Sequence, residues 1–313
     1  MVVGNCPVMD SDWNNVINYC ISINIFKTLR RNKMIEFQRD KDSLLEYQFI
    51  KKLDLNKPQL IVDLHCVLQG EGKFMGVPHI LIRFSGCNMN CMFSDWLCDT
   101  SYASWHAEGT KYSINDVIEL LYANPHIDHI MITGGEPFLN KSLLHTITHL
   151  IKTIDTRYWI TVETNGTMGY FDSKNEENLP IIDFISMSPK LKNSVPIPGT
   201  TAIDPYVSRT ITEQDKIRHE EWRTNYKNMN EILDHCADFQ LKFVVTTEDQ
   251  IEEIETVRQA LGVDMEDTYL MPEGVTANQL AKRRQWVMEK CIEKGYKYSD
   301  RLHIVCYGNA RTA

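Results

Sequence analysis

From residue 58 onward the chain alternates between two hydrophobic periods. Short apolar runs occupy residues 60–66, 79–84, 129–133, 158–162, 184–188, 241–245 and 302–306, and helix-period segments occupy 114–122, 143–154, 251–261 and 277–294. Ser113 and Thr276 stand as N-caps before two of these helices. Thr276 has Gln279 three residues on for a capping box, and Gly295 is placed to end the last helix. Strands alternating with helices predict an α/β fold with a mostly parallel sheet, and right-handed crossovers favour a barrel-like or open wound arrangement. Residues 191–235, with Pro196, Pro198, Gly199 and Pro205, read as a long connection with some helix, suited to a lid or binding segment. Residues 1–57 carry little strand pattern. A short helix fits 43–53, and the stretch reads as a peripheral extension of a core domain spanning 58–313.

Composition narrows the class. The 313 residues are 43% hydrophobic and 24% charged, which excludes a disordered chain or a small disulfide scaffold. No apolar run is long enough to span a membrane, and the start lacks the pattern of a secretory leader, so a soluble cytoplasmic protein is expected. The net charge of −9 argues against broad attraction to nucleic acid or anionic lipid. No nucleic-acid or membrane partner is expected.

Nine cysteines are present, and three of them, Cys87, Cys91 and Cys98, crowd into a short loop directly after a predicted strand. Cys291 in a helical pattern and Cys306 in a strand pattern read as small core residues. Three thiolates could hold three corners of a cubic iron–sulfur cluster and leave one iron free. A zinc site with Cys66 as fourth ligand, or three buried thiols, are the alternatives. The three-residue gap between Cys87 and Cys91 is unusual for zinc. Elsewhere, Thr133-Gly134-Gly135-Glu136 closes an apolar strand, where glycine lets a ligand approach the backbone or simply makes a turn. Lys190 and Lys242 stand near strand ends, as site residues or as solvated charges. Arg83, apart from any wider likeness, reads as a surface salt bridge.

Gly86-Cys87-Asn-Met-Asn-Cys91 followed by Cys98-Asp99-Thr100 resembles the cluster loop of radical S-adenosylmethionine enzymes, and within them the 7-carboxy-7-deazaguanine synthase family. Gln69-Gly70-Glu71-Gly72, Thr133 to Pro137, Val162 to Gly166, Ser188-Pro189-Lys190, Lys242 to Val245, Met271 to Gly274 and Arg301-Leu302-His303 match it in order. The resemblance covers residues 60–311. It implies a partial (β/α) barrel, a 4Fe–4S cluster on Cys87, Cys91 and Cys98, and Mg²⁺ on Thr100. The same resemblance gives Gly135, Glu136, Ser188, Pro189, Lys190, Lys242, Phe243, Val244 and Val245 to S-adenosylmethionine, and Leu68, Gln69, Gly70, Arg83 and Thr133 to substrate. Beyond cluster and cofactor it implies no catalytic side chain.

One departure stands out. The family usually separates its second and third cysteines by two residues, whereas six lie between Cys91 and Cys98, and Ser94 occupies the usual third position. Cys98 takes the third place because Asp99-Thr100 continues the family pattern after it; a loop bulge absorbs the four extra residues at modest entropic cost. The implied activity is conversion of 6-carboxy-5,6,7,8-tetrahydropterin to 7-carboxy-7-deazaguanine with loss of ammonia. An electron donor such as flavodoxin and a homodimer are implied with it. The competing readings are another radical enzyme, such as a glycyl-radical activase, and a cluster-less binding protein.

Overall fold

The computed structural model describes residues 50–93, 96–171, 179–203 and 208–311. The chain divides after Asp54 into two units. In the first, the described part is a single 3₁₀ turn, Ile50–Lys52, closed by the Leu53 N–H on the Ile50 carbonyl. The remainder of the predicted helix at 43–53, and residues 1–49 of the predicted extension, lie outside the described residues.

The second unit is built on one eight-stranded sheet: β1 (Ile61–Leu68), β2 (Pro78–Phe84), β3 (His129–Gly134), β4 (Trp159–Thr164), β5 (Phe184–Met187), β6 (Phe239–Val245), β7 (Thr268–Pro272) and β8 (Lys297–Tyr298). Its spatial order follows chain order from one edge to the other. β1 runs antiparallel to β2, and every later pairing is parallel. A sheet wound in one direction through right-handed crossovers places its helices on one face, which curls it towards a barrel. The helices are α1 (Ile114–Ala123), α2 (Lys141–Ile154), α3 (Glu213–Arg223), α4 (Tyr226–Asp234), α5 (Gln250–Ala260), α6 (Ala277–Lys294) and α7 (Leu302–Tyr307). α1 packs on β2, α5 on β6, and α6 on β7 and β8.

Strand periodicity sorts the sheet's side chains. Ile80, Ile82, Ile130, Ile132, Ile160, Val162, Leu241, Phe243 and Val245 are buried in one phase. Leu81, Arg83, Met131, Thr133, Glu163, Lys242 and Val244 occupy the other and line a cavity. The caps fall where the sequence puts them. Ser113 and Thr276 each close a capping box, with Asp116 and Gln279, and Gly295 ends α6 at φ +76°. Each such cap contributes about 1 kcal/mol.

Two expectations fail. Residues 302–306 form helix α7 rather than a strand, and Cys306 is exposed rather than in the core. The run is rich in β-formers, but β8 ends at Tyr298 and Arg301 is tied down by Glu71, Asp99 and the Gly274 carbonyl. The Leu302 N–H bonds the Gly70 carbonyl, and only Ile304 of the six residues is buried, so no sheet face is available to the run. Strand β7 is missing from the sequence reading. Its five residues are all buried, without polar alternation, and end in Pro272. The connection 191–235 carries helices α3 and α4 and a hairpin pairing Thr201–Ile203 with Ser208–Thr210.

Candidate active site

The cavity holds about 610 Å³, a size suited to small ligands. It opens among strand ends and the loops that follow them, where barrel sites gather.

The loop after β2 enters it through Gly86 at φ +99°, whose N–H bonds the Ala103 carbonyl while its own carbonyl takes the Glu136 N–H. A Cβ on Gly135 would lie 2.2 Å from the Gly86 oxygen, so glycine there is demanded by the cluster loop's backbone. Cys87, Cys91 and Cys98 all line the cavity. The described residues between the last two pair as short antiparallel strands rather than bulging out: Met92 pairs with Leu97, Phe93 with Trp96, and the Cys98 N–H returns to the Cys91 carbonyl at 3.1 Å. An antiparallel hairpin brings its ends together by construction, so the insertion leaves Cys98 beside Cys91.

Burial raises all three thiols, Cys91 to about 12; neighbouring sulfurs contribute at Cys87 and Cys91, and the Asp99 carboxylate at Cys98. Such thiols ionise when a metal takes the charge. A tetrahedral zinc site would bring its sulfurs to within about 4 Å of one another around one ion. Among the described residues no three Cys, His, Asp or Glu side chains converge in that way, and Cys66 is exposed and outside the cavity. A cuboidal cluster gives each sulfur its own iron and fits three separate thiols in one cavity. Polar groups reach each sulfur. The Met89 N–H lies 3.4 Å from Cys87 Sγ, His219 Nε2 3.4 Å from Cys91 Sγ, and Thr100 Oγ1 3.3 Å from Cys98 Sγ. Thr100 also lines the cavity, and one hydroxyl fits the demand of an ion such as Mg²⁺, which ordinarily keeps several waters.

A buried charge network forms another part of the wall. Lys242 Nζ bonds Glu71 and lies 3.5 Å from Glu163, and Arg301 joins Glu71 at 2.9 Å to Asp99. Burial would raise the Glu71 and Asp99 carboxyls, but Lys242 and Arg301 around Glu71, and Arg301 beside Asp99, hold them below the usual range. Thr133 Oγ1 and Gln69 Nε2 donate to Glu163 at 3.0 and 3.3 Å. Asp99 thereby ties the cluster loop to the start of α7.

Arg83 is oriented from behind. Its Nε donates to Asp63 Oδ2 at 2.8 Å, and that carboxylate also accepts from Tyr102 Oη and, on its other oxygen, from Arg311 Nε at 3.0 Å. Arg311 stacks on Tyr102 with its guanidinium carbon 3.8 Å from the ring centre, and grips Glu108 at 2.8–2.9 Å.

Of the residues expected in the site, Leu68, Gln69, Gly70, Arg83, Thr133, Gly135, Ser188, Lys190, Lys242 and Val244 line the cavity with the cysteines and Thr100; Glu136, Pro189, Phe243 and Val245 do not. Phe243 and Val245 fall in the wrong phase of β6. Glu136 is 1% exposed, and its oxygens accept from Thr164 Oγ1, the Asn165 N–H and the Phe138 N–H at 2.6, 2.7 and 3.1 Å. Sequence reasoning missed the roles of Asp63, Asp99, Glu163, Arg301 and His219. A charged residue inside the β-rich run 60–66 was a signal for Asp63, and position within quoted motifs was one for Asp99, Glu163 and Arg301. His219 had none.

A sequence family described as a 4Fe-4S single cluster domain matches residues 68–197. A 7-carboxy-7-deazaguanine synthase from Rhodopirellula baltica is 34% identical, covering 80% of this chain and 88% of the relative. One from Halobacterium salinarum is 36% identical, covering 80% and 91%. A solved QueE structure from Escherichia coli is 20% identical, covers 78% of this chain and 93% of its own, and superposes with a TM-score of 0.47. The cluster loop alone would suit many radical enzymes, but relatives matched over most of their own length at this identity decide among them: the chain belongs to the 7-carboxy-7-deazaguanine synthase family.

Proposed function

We propose that the chain is a radical S-adenosylmethionine lyase that converts 6-carboxy-5,6,7,8-tetrahydropterin to 7-carboxy-7-deazaguanine with loss of ammonia. The observation that carries this reading is one cavity lined both by the three thiols of Cys87, Cys91 and Cys98 and by an arginine fork held in place by Asp63. When bound and reduced, a 4Fe–4S cluster with S-adenosylmethionine supplies a 5′-deoxyadenosyl radical to take hydrogen from the substrate. The protein's part is position and exclusion of water.

Cys87, Cys91 and Cys98 hold three irons. Gly135, Ser188 and Lys190 face the cofactor with Lys242 and Val244, while Pro189 fixes the turn; Glu136, Phe243 and Val245 brace that wall from behind. Lys190 Nζ, 3.0 Å from Ser188 Oγ, keeps a cation beside the expected carboxylate of the cofactor. Leu68, Gln69, Gly70 and Thr133 contact the pterin, and Arg83 receives the substrate carboxylate. Thr100 offers one oxygen to Mg²⁺, with substrate and water supplying the rest. A low-potential carrier of the flavodoxin type delivers the electron, and the enzyme works as a cytoplasmic homodimer. Among the described residues no helix is long and apolar enough to cross a membrane.

Anaerobic reconstitution followed by iron and sulfide analysis, then incubation with dithionite, S-adenosylmethionine and 6-carboxytetrahydropterin, tests the reading. The expected product is 7-carboxy-7-deazaguanine, identified by mass. A brown, sulfide-bearing protein that cleaves the cofactor but leaves the pterin intact would favour another radical enzyme; a colourless one would overturn the reading.

A further inference from the structure

Helix α3 sets two residues, one turn apart, against the cluster loop. Asp215, fixed by the capping box with Thr212, takes Arg209 at 2.8 Å and Asn90 Nδ2, from between the first two cysteines, at 3.5 Å. Four residues on, His219 is 1% exposed and places Nε2 3.4 Å from Cys91 Sγ. Its Nδ1 is buried with no hydrogen-bond partner among the described residues. The Trp105 indole N–H holds the Cys91 carbonyl at 2.9 Å, so both ends of this cysteine are gripped.

Resting on the cluster reading above, we propose that His219 is a positioning residue for the cluster: its Nε2–H donates to the Cys91 sulfur and makes the cluster easier to reduce. A cysteine sulfur bound to iron carries no proton and can only accept. A hydrogen bond across this contact therefore needs the imidazole proton on Nε2. On reduction one electron passes from an external one-electron donor to the cluster; no bond forms or breaks, and the imidazole keeps its proton. The added negative charge is shared with the sulfurs, so a donor on sulfur favours the reduced state, the recognised means by which surrounding groups tune such clusters.

The test is an EPR-monitored redox titration of the reconstituted protein beside His219→Leu and His219→Gln. His219→Leu should make reduction on the order of tenfold less favourable, about 59 mV more negative for a one-electron couple. His219→Gln, which keeps an N–H donor, should recover much of the loss. Pulsed EPR on the reduced protein with ¹⁵N-labelled histidine should show a weak nitrogen coupling that His219→Gln abolishes. Equal potentials in the native and leucine proteins at full iron content would overturn the proposal, as would a coupling strong enough for nitrogen bound to iron. Should the leucine variant not load, absence of any weak coupling in the native protein would overturn it as well. A native protein without a cluster would instead sink the reading it rests on.

Discussion

The backbone N–H of Cys98 meets the carbonyl of Cys91 at 3.1 Å, although six residues separate them in the chain. That bond continues the pairing of Met92 with Leu97 and Phe93 with Trp96, and makes Cys98 a neighbour of Cys91 in space. Cys98→Ala should therefore bind cluster iron at least ~100-fold more weakly, losing a direct ligand where second-layer losses alone cost about 10–100-fold. Cys66→Ala, removing an exposed thiol outside the cavity, should leave iron and sulfide content unchanged. Metal and sulfide analysis after anaerobic reconstitution reads both, and full loading of Cys98→Ala would refute the assignment.

Asp63 sits at the centre of a buried cluster, accepting from Arg83, Tyr102 and Arg311. Asp63→Ala leaves Arg83 without its carboxylate, while Arg311 keeps Glu108, and breaking a partly buried pair in this way costs about 3 kcal/mol. With Arg83 no longer aimed, kcat/KM for the carboxylated pterin should fall about 10–100-fold, chiefly through KM. Asp63→Asn, which keeps the shape and one acceptor, should fall less. Steady-state kinetics and the denaturant midpoint check the pair, and an unchanged KM in Asp63→Ala would remove Arg83 from carboxylate binding.

Much of this frame was legible because it rests on local signals. Helix α6 runs Ala277–Lys294 as read, since Thr276 with Gln279 starts it and Gly295 stops it within a single stretch of chain. Residues 302–306 misled because their β-forming side chains outweigh, on paper, a tether from Arg301 to Glu71 that is 230 positions distant. The triplet of cysteines was readable from spacing and from Asp99-Thr100, but the hairpin that reunites them depends on pairing of Met92 with Leu97. The stretch Lys242 to Val245 was read as one contact surface, and strand alternation splits it. His219 lies in a helix dominated by charge, where nothing local marks the one side chain that turns inward to sulfur.

Protonated thiols should make the cluster-free protein sensitive to alkali. In the unfolded chain a thiol ionises near its ordinary 9.0, whereas burial pushes Cys91 up to about 12. A raised value means that the folded state holds the proton longer. Its contribution to stability is fully present below pH 9 and is lost as pH rises from 9 towards 12. With the cluster bound, the sulfurs have already given up their protons, and this part of the alkaline loss should disappear. Denaturant midpoints between pH 8 and about 11, with and without cluster, check the sign. An alkaline slope of equal size in both forms would place its origin outside the three cysteines.

Glu136 separates support from contact. Its three donors fix the turn after β3 and the Asn165 backbone, and the Asn165 side chain in turn reaches Asn88 at 3.0 Å and Cys87 Sγ at 3.9 Å. Glutamine keeps one accepting oxygen and turns an amide towards an N–H, leaving a buried donor unmatched at a cost of about 2 kcal/mol. For a unit of this size that corresponds to a Tm lower by roughly 4–8 °C. Because Glu136 does not line the cavity, Glu136→Gln loaded with cluster should bind S-adenosylmethionine within about twofold of the native protein, a difference worth only ~0.4 kcal/mol. Calorimetric titration beside thermal unfolding distinguishes the two roles: a tenfold loss of cofactor affinity at unchanged Tm would mean that the carboxylate reaches the cofactor's ammonium directly, and would reverse the order of cause drawn from its hydrogen bonds.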